Sequence, residues 1–353
     1  MRPRHTPATA LMVALFAVWA VCTVLHVQQV AGGTLAWVGV YVTGPEGGDE
    51  FPRVRGFWPG ADRDAPGALL VGDRLLRVGT KSLRDVGPIG FMARAHATAA
   101  ERHHLRVPIT YERDGVVGHT RIALIPVAYP WRMLPLTCTL MATAALVLRR
   151  RPGAPIAHAF FLLAVAYGLH WMFFFGGSRW QTYAWLVVFL GASSTMLPLI
   201  LRAMLVFPPE IAPRGGRLPW WPWVFALFGP ISLSWLVGIP LPPEIGFRAV
   251  FLANIAFIAT MLVVLTRNFR RAGALGRRQL KWVVLGMYLG TMPVLLADVV
   301  VAIAPPLWWL HELAMIAEIM VPIGLVIGIV RANLFDVDRL ITGAASTTTE
   351  STL

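Results

Sequence analysis

The sequence predicts a mostly α-helical membrane protein of about eight transmembrane helices, with one small α+β domain inserted after the first. Three observations predict it. Apolar residues make up 56% of the 353 and charged residues only 14%, roughly half the ~25% charge of soluble domains. With a mean hydropathy of +0.63, one core could not hide so much apolar surface, which excludes an ordinary soluble enzyme and a disordered chain. Eight stretches approach the ~20 apolar residues that cross a bilayer: 8–29, 131–148, 155–176, 182–206, 219–239, 247–266, 281–304 and 309–330. Basic residues, finally, gather in alternate connections between them.

That alternation sets the orientation, because Lys and Arg collect in cytoplasmic loops. Arg2 and Arg4 precede the first span. Arg149, Arg150 and Arg151 follow the second, Arg214 and Arg217 the fourth. Arg267, Arg270, Arg271, Arg277, Arg278 and Lys281 lie between the sixth and seventh, and Arg331 and Arg339 follow the eighth. The intervening loops hold one Arg or none. Eight crossings with both termini cytoplasmic put every rich loop on one side. The first span has a basic start, like a signal peptide, but its apolar run is long and Val27-Gln-Gln-Val-Ala-Gly32 offers no clean cleavage site, so an uncleaved anchor is expected. Trp131, Trp171, Trp180, Trp220, Trp221, Trp223, Trp308 and Trp309 sit at span ends, where an indole prefers the headgroup layer.

Residues 33–128 differ. Charge is dense, Gly and Pro recur and no spanning run occurs. By the orientation this segment lies outside the cytoplasm. Strands are expected at Leu35–Val42, Arg53–Phe57, Arg74–Val78, Val107–Arg113 and Thr120–Ile125, each bounded by Gly, Pro or Asp, with a helix over Pro88–Arg102 and a tight turn at Asp114-Gly115. The chain thus divides into 1–32 (N-terminus and first span), 33–128, a seven-helix bundle over 129–331 and a cytoplasmic tail over 332–353.

Within the inserted segment, Val54-Arg-Gly-Phe-Trp-Pro-Gly-Ala61, Ala65-Pro-Gly67 and Leu70-Val-Gly-Asp-Arg-Leu-Leu-Arg-Val-Gly79 resemble the core of a bacterial PDZ domain. The resemblance implies structural turns at Gly72-Asp73 and Gly79. It also implies a peptide added to a sheet edge, in a groove between Arg53, Val54, Arg55, Gly56 and Phe57 and the helix near Pro88. The acidic loop Gly44-Pro-Glu-Gly-Gly-Asp-Glu50 departs from the family, since acid disfavours a peptide carboxylate. An internal or basic peptide, or an unused groove that serves as a spacer, is implied instead.

Three further pieces, Val206-Phe-Pro-Pro209, Arg277-Arg-Gln-Leu-Lys-Trp-Val-Val-Leu-Gly286 and Arg331-Ala-Asn-Leu-Phe-Asp-Val-Asp-Arg-Leu-Ile341, are similar to the membrane sensor region of certain bacterial sensor histidine kinases. In that family the last piece leads into a cytoplasmic output module. Here only Thr342–Leu353 follow, so a kinase core is absent from this sequence or supplied separately. Phe335 and Leu340, beside Asp336, Asp338 and Arg339, alternatively read as an interfacial amphipathic turn.

Ionisable residues inside a bilayer are costly and mark functional sites. His170, Asp298, His311, Glu312 and Glu318 fall near the outer span ends and would form an outward-opening polar pocket, suited to protons, a divalent metal or a cationic ligand. His311 and Glu318 are seven apart and share a helix face. Asp298 and Glu318 are expected to face the bundle interior, while His170, His311 and Glu312 also read simply as headgroup-layer residues. Arg202 is expected to snorkel and Asn254 to donate a hydrogen bond between helices.

Enzyme chemistry is not expected. His311-Glu-Leu-Ala-Met315 lacks the second imidazole of the His-Glu-x-x-His zinc site. Gly191-Ala-Ser-Ser194 with His170 only partly matches a rhomboid-type serine protease. Cys22 and Cys138 imply neither disulfide nor metal site, and no cofactor is expected. The net charge of +13 would suggest nucleic acid on a soluble chain. Residues 33–128 carry twelve Lys/Arg and ten Asp/Glu, so +11 lies elsewhere, mostly in cytoplasmic loops. Membrane lipid is therefore the expected counterpart, not nucleic acid. The reading is a membrane sensory or signalling protein, with a peptide or protein partner at the PDZ-like domain and a cytoplasmic signalling partner. A scaffold or accessory subunit is the alternative, ahead of a transporter.

Overall fold

The computed structural model describes residues 7–44, 50–58, 61, 67–127, 130–150, 155–205, 219–237 and 242–332. The middle of the acidic loop, Val206-Phe-Pro-Pro209, Arg214, Arg217 and the tail from Asn333 lie outside them.

The chain is mainly helical. The bundle helices are α1 (Pro7–Ala31), α3 (Met133–Arg150), α4 (Pro155–Trp171), α5 (Arg179–Leu205), α6 (Phe228–Val237), α7 (Pro243–Arg271), α8 (Ala274–Ile303), α9 (Trp309–Ala314) and α10 (Met320–Ala332). Among the described residues six helical stretches are long and apolar enough to cross a membrane: Ala10–Ala31, Met133–Arg150, Arg179–Leu205, Ile245–Arg271, Gly276–Ile303 and Pro305–Gly328. Two of the eight expected spans fall short, at Ala157–Trp171 and Trp221–Val237. The physical reasons are local. After Trp171 the helix ends, and Met172–Phe175 are neither helix nor strand. Trp221–Leu227 is a 3₁₀ turn carrying Pro222, followed by only ten residues of α6. The expected span 309–330 is likewise no single α-helix, because a 3₁₀ segment, Met315–Ile319, separates α9 from α10.

α1 is apolar on all sides, and Leu11, Val13, Phe16, Val18, Val21 and Val24 lie on the molecular surface, as suits a helix facing lipid. His26 holds it to the bundle through Nδ1, 2.8 Å from the Phe173 carbonyl. α8 and α10 approach most closely. A Cβ on Gly286 would stand 2.5 Å from the Met320 carbonyl and one on Gly324 2.5 Å from the Trp282 carbonyl. Two bare backbones therefore meet, which is how membrane helices without a hydrophobic driving force gain contact.

Between α1 and α3 the chain builds a small α+β unit. Its strands are β1 (Ala36–Trp37), β2 (Val40–Val42), β3 (Val54–Phe57), β4 (Arg74–Val78), β5 (Lys81–Ser82), β6 (Arg106–Arg113), β7 (Val116–Ala123) and β8 (Ile125–Pro126), with α2 over Pro88–Arg102. β5-β4-β6-β7 form one antiparallel sheet, β2 pairs with β3, and β1 with β8. The β6–β7 hairpin turns at Asp114-Gly115, both at positive φ (51° and 78°), the geometry a two-residue hairpin turn demands. Val54, Leu75, Val78, Phe91, Val107 and Ile109 fill its core.

This unit sits on the α4 C-terminus, the α5 N-terminus and the end of α6, remote from the opposite helix ends that carry Arg149, Arg150, Arg270 and Arg271. Trp37 stacks on Trp58 (centroids 5.5 Å, 11° between planes). Trp37 meets Phe175 at 4.7 Å and Trp58 meets Trp235 at 5.0 Å. Tyr41 Oη donates to the Trp235 carbonyl at 2.8 Å.

Substituting Gly324→Ala should force the α8–α10 contact apart, since backbone cannot yield as a side chain can. A loss of about 1–3 kcal/mol is expected, measured as a drop in thermal unfolding temperature in detergent. An unchanged midpoint would contradict the packing.

Candidate functional site

Two places concentrate unusual chemistry, a cavity inside the bundle and a cleft beside the inserted unit.

The cavity has a volume of about 160 Å³ and is lined from every bundle helix except α1. Its walls are mostly apolar and aromatic. Its polar groups include four of the five predicted pocket residues, His170, His311, Glu312 and Glu318, which the fold brings to one space. The fifth, Asp298, does not line it but stands directly behind. Asp298 is fully buried in α8. Its Oδ2 accepts from Asn254 Nδ2 on α7 at 2.6 Å, and its Oδ1 lies 2.5 Å from His311 Nδ1 on α9. One carboxylate thus ties three helices, and a buried carboxylate needs such partners to be tolerated. His311 also packs edge-on against Phe251 at 5.2 Å. The seven-residue spacing of His311 and Glu318 crosses the 3₁₀ segment, yet both still line the same cavity.

Three partners were not legible beforehand. Arg132, just before α3, pairs with Glu312. Tyr167 on α4 donates its hydroxyl to Glu318. Ser232 on α6 lines the cavity, is 2% exposed, and its Oγ has no hydrogen-bond partner among the described residues. Arg132 resembles an ordinary basic flank and Tyr167 an interfacial aromatic, so their signal lay only in helix pairing. Trp171, at a span end, also lines the cavity.

His170 is buried, with Nδ1 2.9 Å from Ser193 Oγ on α5. Ser193 donates its own hydroxyl proton to the Phe189 carbonyl at 2.6 Å. His170 therefore carries its proton on Nδ1 and donates to Ser193, which leaves Nε2 as an acceptor. The pair is the reverse of a serine–base dyad: Ser193 is fully buried and does not line the cavity, so its hydroxyl cannot reach a substrate there. Among the described residues no three His, Cys, Asp or Glu side chains gather closely enough to hold a metal ion.

The cleft lies beside α2. The strand facing α2 is β2, not Arg53–Phe57. Val54, Arg55, Gly56 and Phe57 form β3, which pairs with β2 on one side, while Arg53 bridges to Arg74 of β4 on the other. β3 therefore has neighbours on both edges, and the strand left beside α2 is β2. Val40, Tyr41, Val42, Phe91 and Met92 line the narrow cleft between them, and Leu236 and Val237 at the end of α6 close it, leaving about 10 Å³.

The turn residues hold the framework of that cleft. Gly72 (φ 97°) and Gly79 (φ 59°) adopt left-handed backbone. Asp73 is 3% exposed and receives Arg113 Nε and Nη2, each at 2.7 Å, and the Leu70 amide at 2.7 Å. Burial alone would raise the Asp73 carboxyl, but these donors and the Arg113 charge outweigh it and hold it below the usual carboxylate range. His96 of α2 faces the bundle. Its Nε2 donates to the Ala36 carbonyl at 3.0 Å and its ring meets Phe175 at 4.9 Å. Burial pushes the His96 imidazole down to about 4, against the smaller pull of that bond.

Comparison with known proteins gives no match among family models, curated proteins or solved structures.

Because the folded His96 value lies below the ordinary His value, the unfolded chain takes up its proton first as pH falls. Its contribution is full above about pH 6.5 and is lost as pH falls towards 4, by up to about 3 kcal/mol. Thermal unfolding of the full chain across this range should therefore be less acid-sensitive in His96→Gln. An unchanged pH slope would contradict the assignment.

Proposed function

We propose that the chain is an integral membrane sensory protein of the bacterial plasma membrane. Residues 33–128 form a PDZ-like domain outside the cytoplasm, eight crossings put both termini inside, and the bundle relays partner binding to the cytoplasmic side. Orientation is supported by the basic helix ends, which lie at the end of the bundle opposite the inserted unit. The two short apolar segments reach across on this reading because non-helical backbone at Met172–Phe175 and the 3₁₀ turn at Trp221–Leu227 continue them. Backbone of that kind is tolerated at membrane depth when buried in protein.

One observation carries the relay. The cleft between β2 and α2, where a peptide strand would be added, is closed by Leu236 and Val237 of the bundle. A peptide bound there would have to displace the end of α6. Binding and α6 docking would then exclude one another, which is a coupling free energy between two sites. A peptide would gain main-chain bonds along Val40–Val42 and set its side chains against Phe91 and Met92. Output would pass to a cytoplasmic signalling partner, in keeping with the resemblance of the membrane pieces to kinase sensor regions.

A static scaffold is the second reading, and the small volume of the closed cleft favours it. A peptide library screened against the full chain in nanodiscs separates the two. The sensory reading expects binders that raise amide hydrogen exchange in 228–237, and tighter binding, by about tenfold, when Leu236→Ala relieves the closure. Absence of any binder to either form, or binding that leaves 228–237 unchanged, would sink the relay.

A further inference from the structure

We infer that the bundle cavity is a binding site for a small hydrophobic amine, a molecule with one ammonium head and an apolar body. This is independent of peptide binding in the cleft.

The first argument is charge. Arg132 and His311 supply at most two positive charges, against the three carboxyls of Asp298, Glu312 and Glu318. Arg132 is committed to Glu312 and His311 to Asp298. Among the described residues Glu318 receives a neutral donor, the Tyr167 hydroxyl. A carboxylate in an apolar space requires a cation or a proton. The cluster is therefore short of one cation or one proton, at the residue that also lines the open space.

The second argument is hydrogen-bonding capacity. Ser232 lines the cavity, and among the described residues its buried Oγ has no hydrogen-bond partner, whereas buried polar groups normally have one. His170 Nε2 is left as an acceptor by the proton order of the His170–Ser193–Phe189 chain. Glu318, Ser232 and His170, each with acceptor capacity, thus line one space. An ammonium, with several N–H donors and no acceptor, complements such a set. An anion or a carbonyl compound does not.

The third argument is the wall. Trp171, Trp235, Phe251 and Phe257 line the same cavity, and aromatic faces attract a desolvated cation. A volume of about 160 Å³ is on the scale of an apolar cavity of ~150 Å³ that takes up benzene. A single ring with a short aminoalkyl arm fits, whereas a lipid or a peptide does not.

The test uses the full chain in nanodiscs, with 2-phenylethylamine and its neutral isostere 2-phenylethanol as probes. Saturable quenching of tryptophan fluorescence and ligand-induced thermal stabilisation report binding. The amine is expected to bind at least about tenfold more tightly than the alcohol, as one charge-assisted hydrogen bond supplies. Glu318→Gln should abolish that preference while leaving the alcohol's weak binding in place, and Ser232→Ala should weaken the amine by a smaller factor. Equal affinity of the two probes for the wild-type chain, a preference that survives Glu318→Gln, or no saturable amine binding at millimolar concentration would each overturn the assignment. The probe comparison on the unmodified chain stands even if a variant fails to fold. Failure of peptide binding in the cleft would leave these results untouched.

Discussion

Trp37 lies flat on Trp58, and the pair is wedged among Phe173, Phe175, Trp185 and Trp235. Rings of this size bury ~150–250 Å² each and add about 0.5–1.5 kcal/mol per well-set pair beyond that burial. This seam joins the contacts of α2 with α5 and the Tyr41–Trp235 hydrogen bond in holding the inserted unit to the bundle. With it, α2 and β2 are pressed on the end of α6, and Trp37 becomes part of the cavity wall. The cleft and the cavity consequently share α6. Leu236 and Val237 close the first, and Ser232, Trp235 and Leu236 line the second.

The bundle has to solve a second problem, which is charge. Asp298, Glu312, Glu318, Arg132 and His311 all lie within the helical layer, where each isolated ion is expensive. They are gathered at one level and cross-linked between α3, α4, α7, α8 and the α9–α10 region. A helix shift that breaks one pair leaves its partner uncompensated. That penalty favours discrete arrangements over gradual sliding, and discrete arrangements are what a relay requires. The close α8–α10 contact at Gly286 and Gly324 makes a rigid frame for the group.

Local patterns in the sequence were legible where local chemistry decides. Helix α2 falls on Pro88–Arg102 because Pro starts it, and the β6–β7 hairpin turns at Asp114-Gly115. Expected strands at Arg53–Phe57, Arg74–Val78 and Val107–Arg113 overlap β3, β4 and β6. Hydropathy identified the long helices and blurred the broken ones, since a window average does not register a 3₁₀ turn at Trp221–Leu227 or Met315–Ile319. Asp298 and Asn254 stood out as polar residues in apolar runs, and they bond one another. Tyr167, Arg132 and Ser232 gave no such signal, because their importance arises from which helices meet. The same holds for Trp37, Trp58, Trp185 and Trp235, whose packing on one another depends on how the inserted unit docks on the bundle. Strand order was the other loss. Periodicity marks Arg53–Phe57 as a strand but does not tell that Val40–Val42 stands between it and α2.

If the inserted unit and the bundle act as one energetic body through the aromatic seam, the residues that face each other across it are energetically coupled. A double-mutant cycle on Trp58→Leu and Trp235→Leu, read by thermal unfolding of the full chain in detergent, tests it most directly. The account predicts a coupling of about 0.5–1.5 kcal/mol between the two substitutions. Additivity to within about 0.3–0.5 kcal/mol would contradict it, because the two bodies would then be neighbours without being coupled.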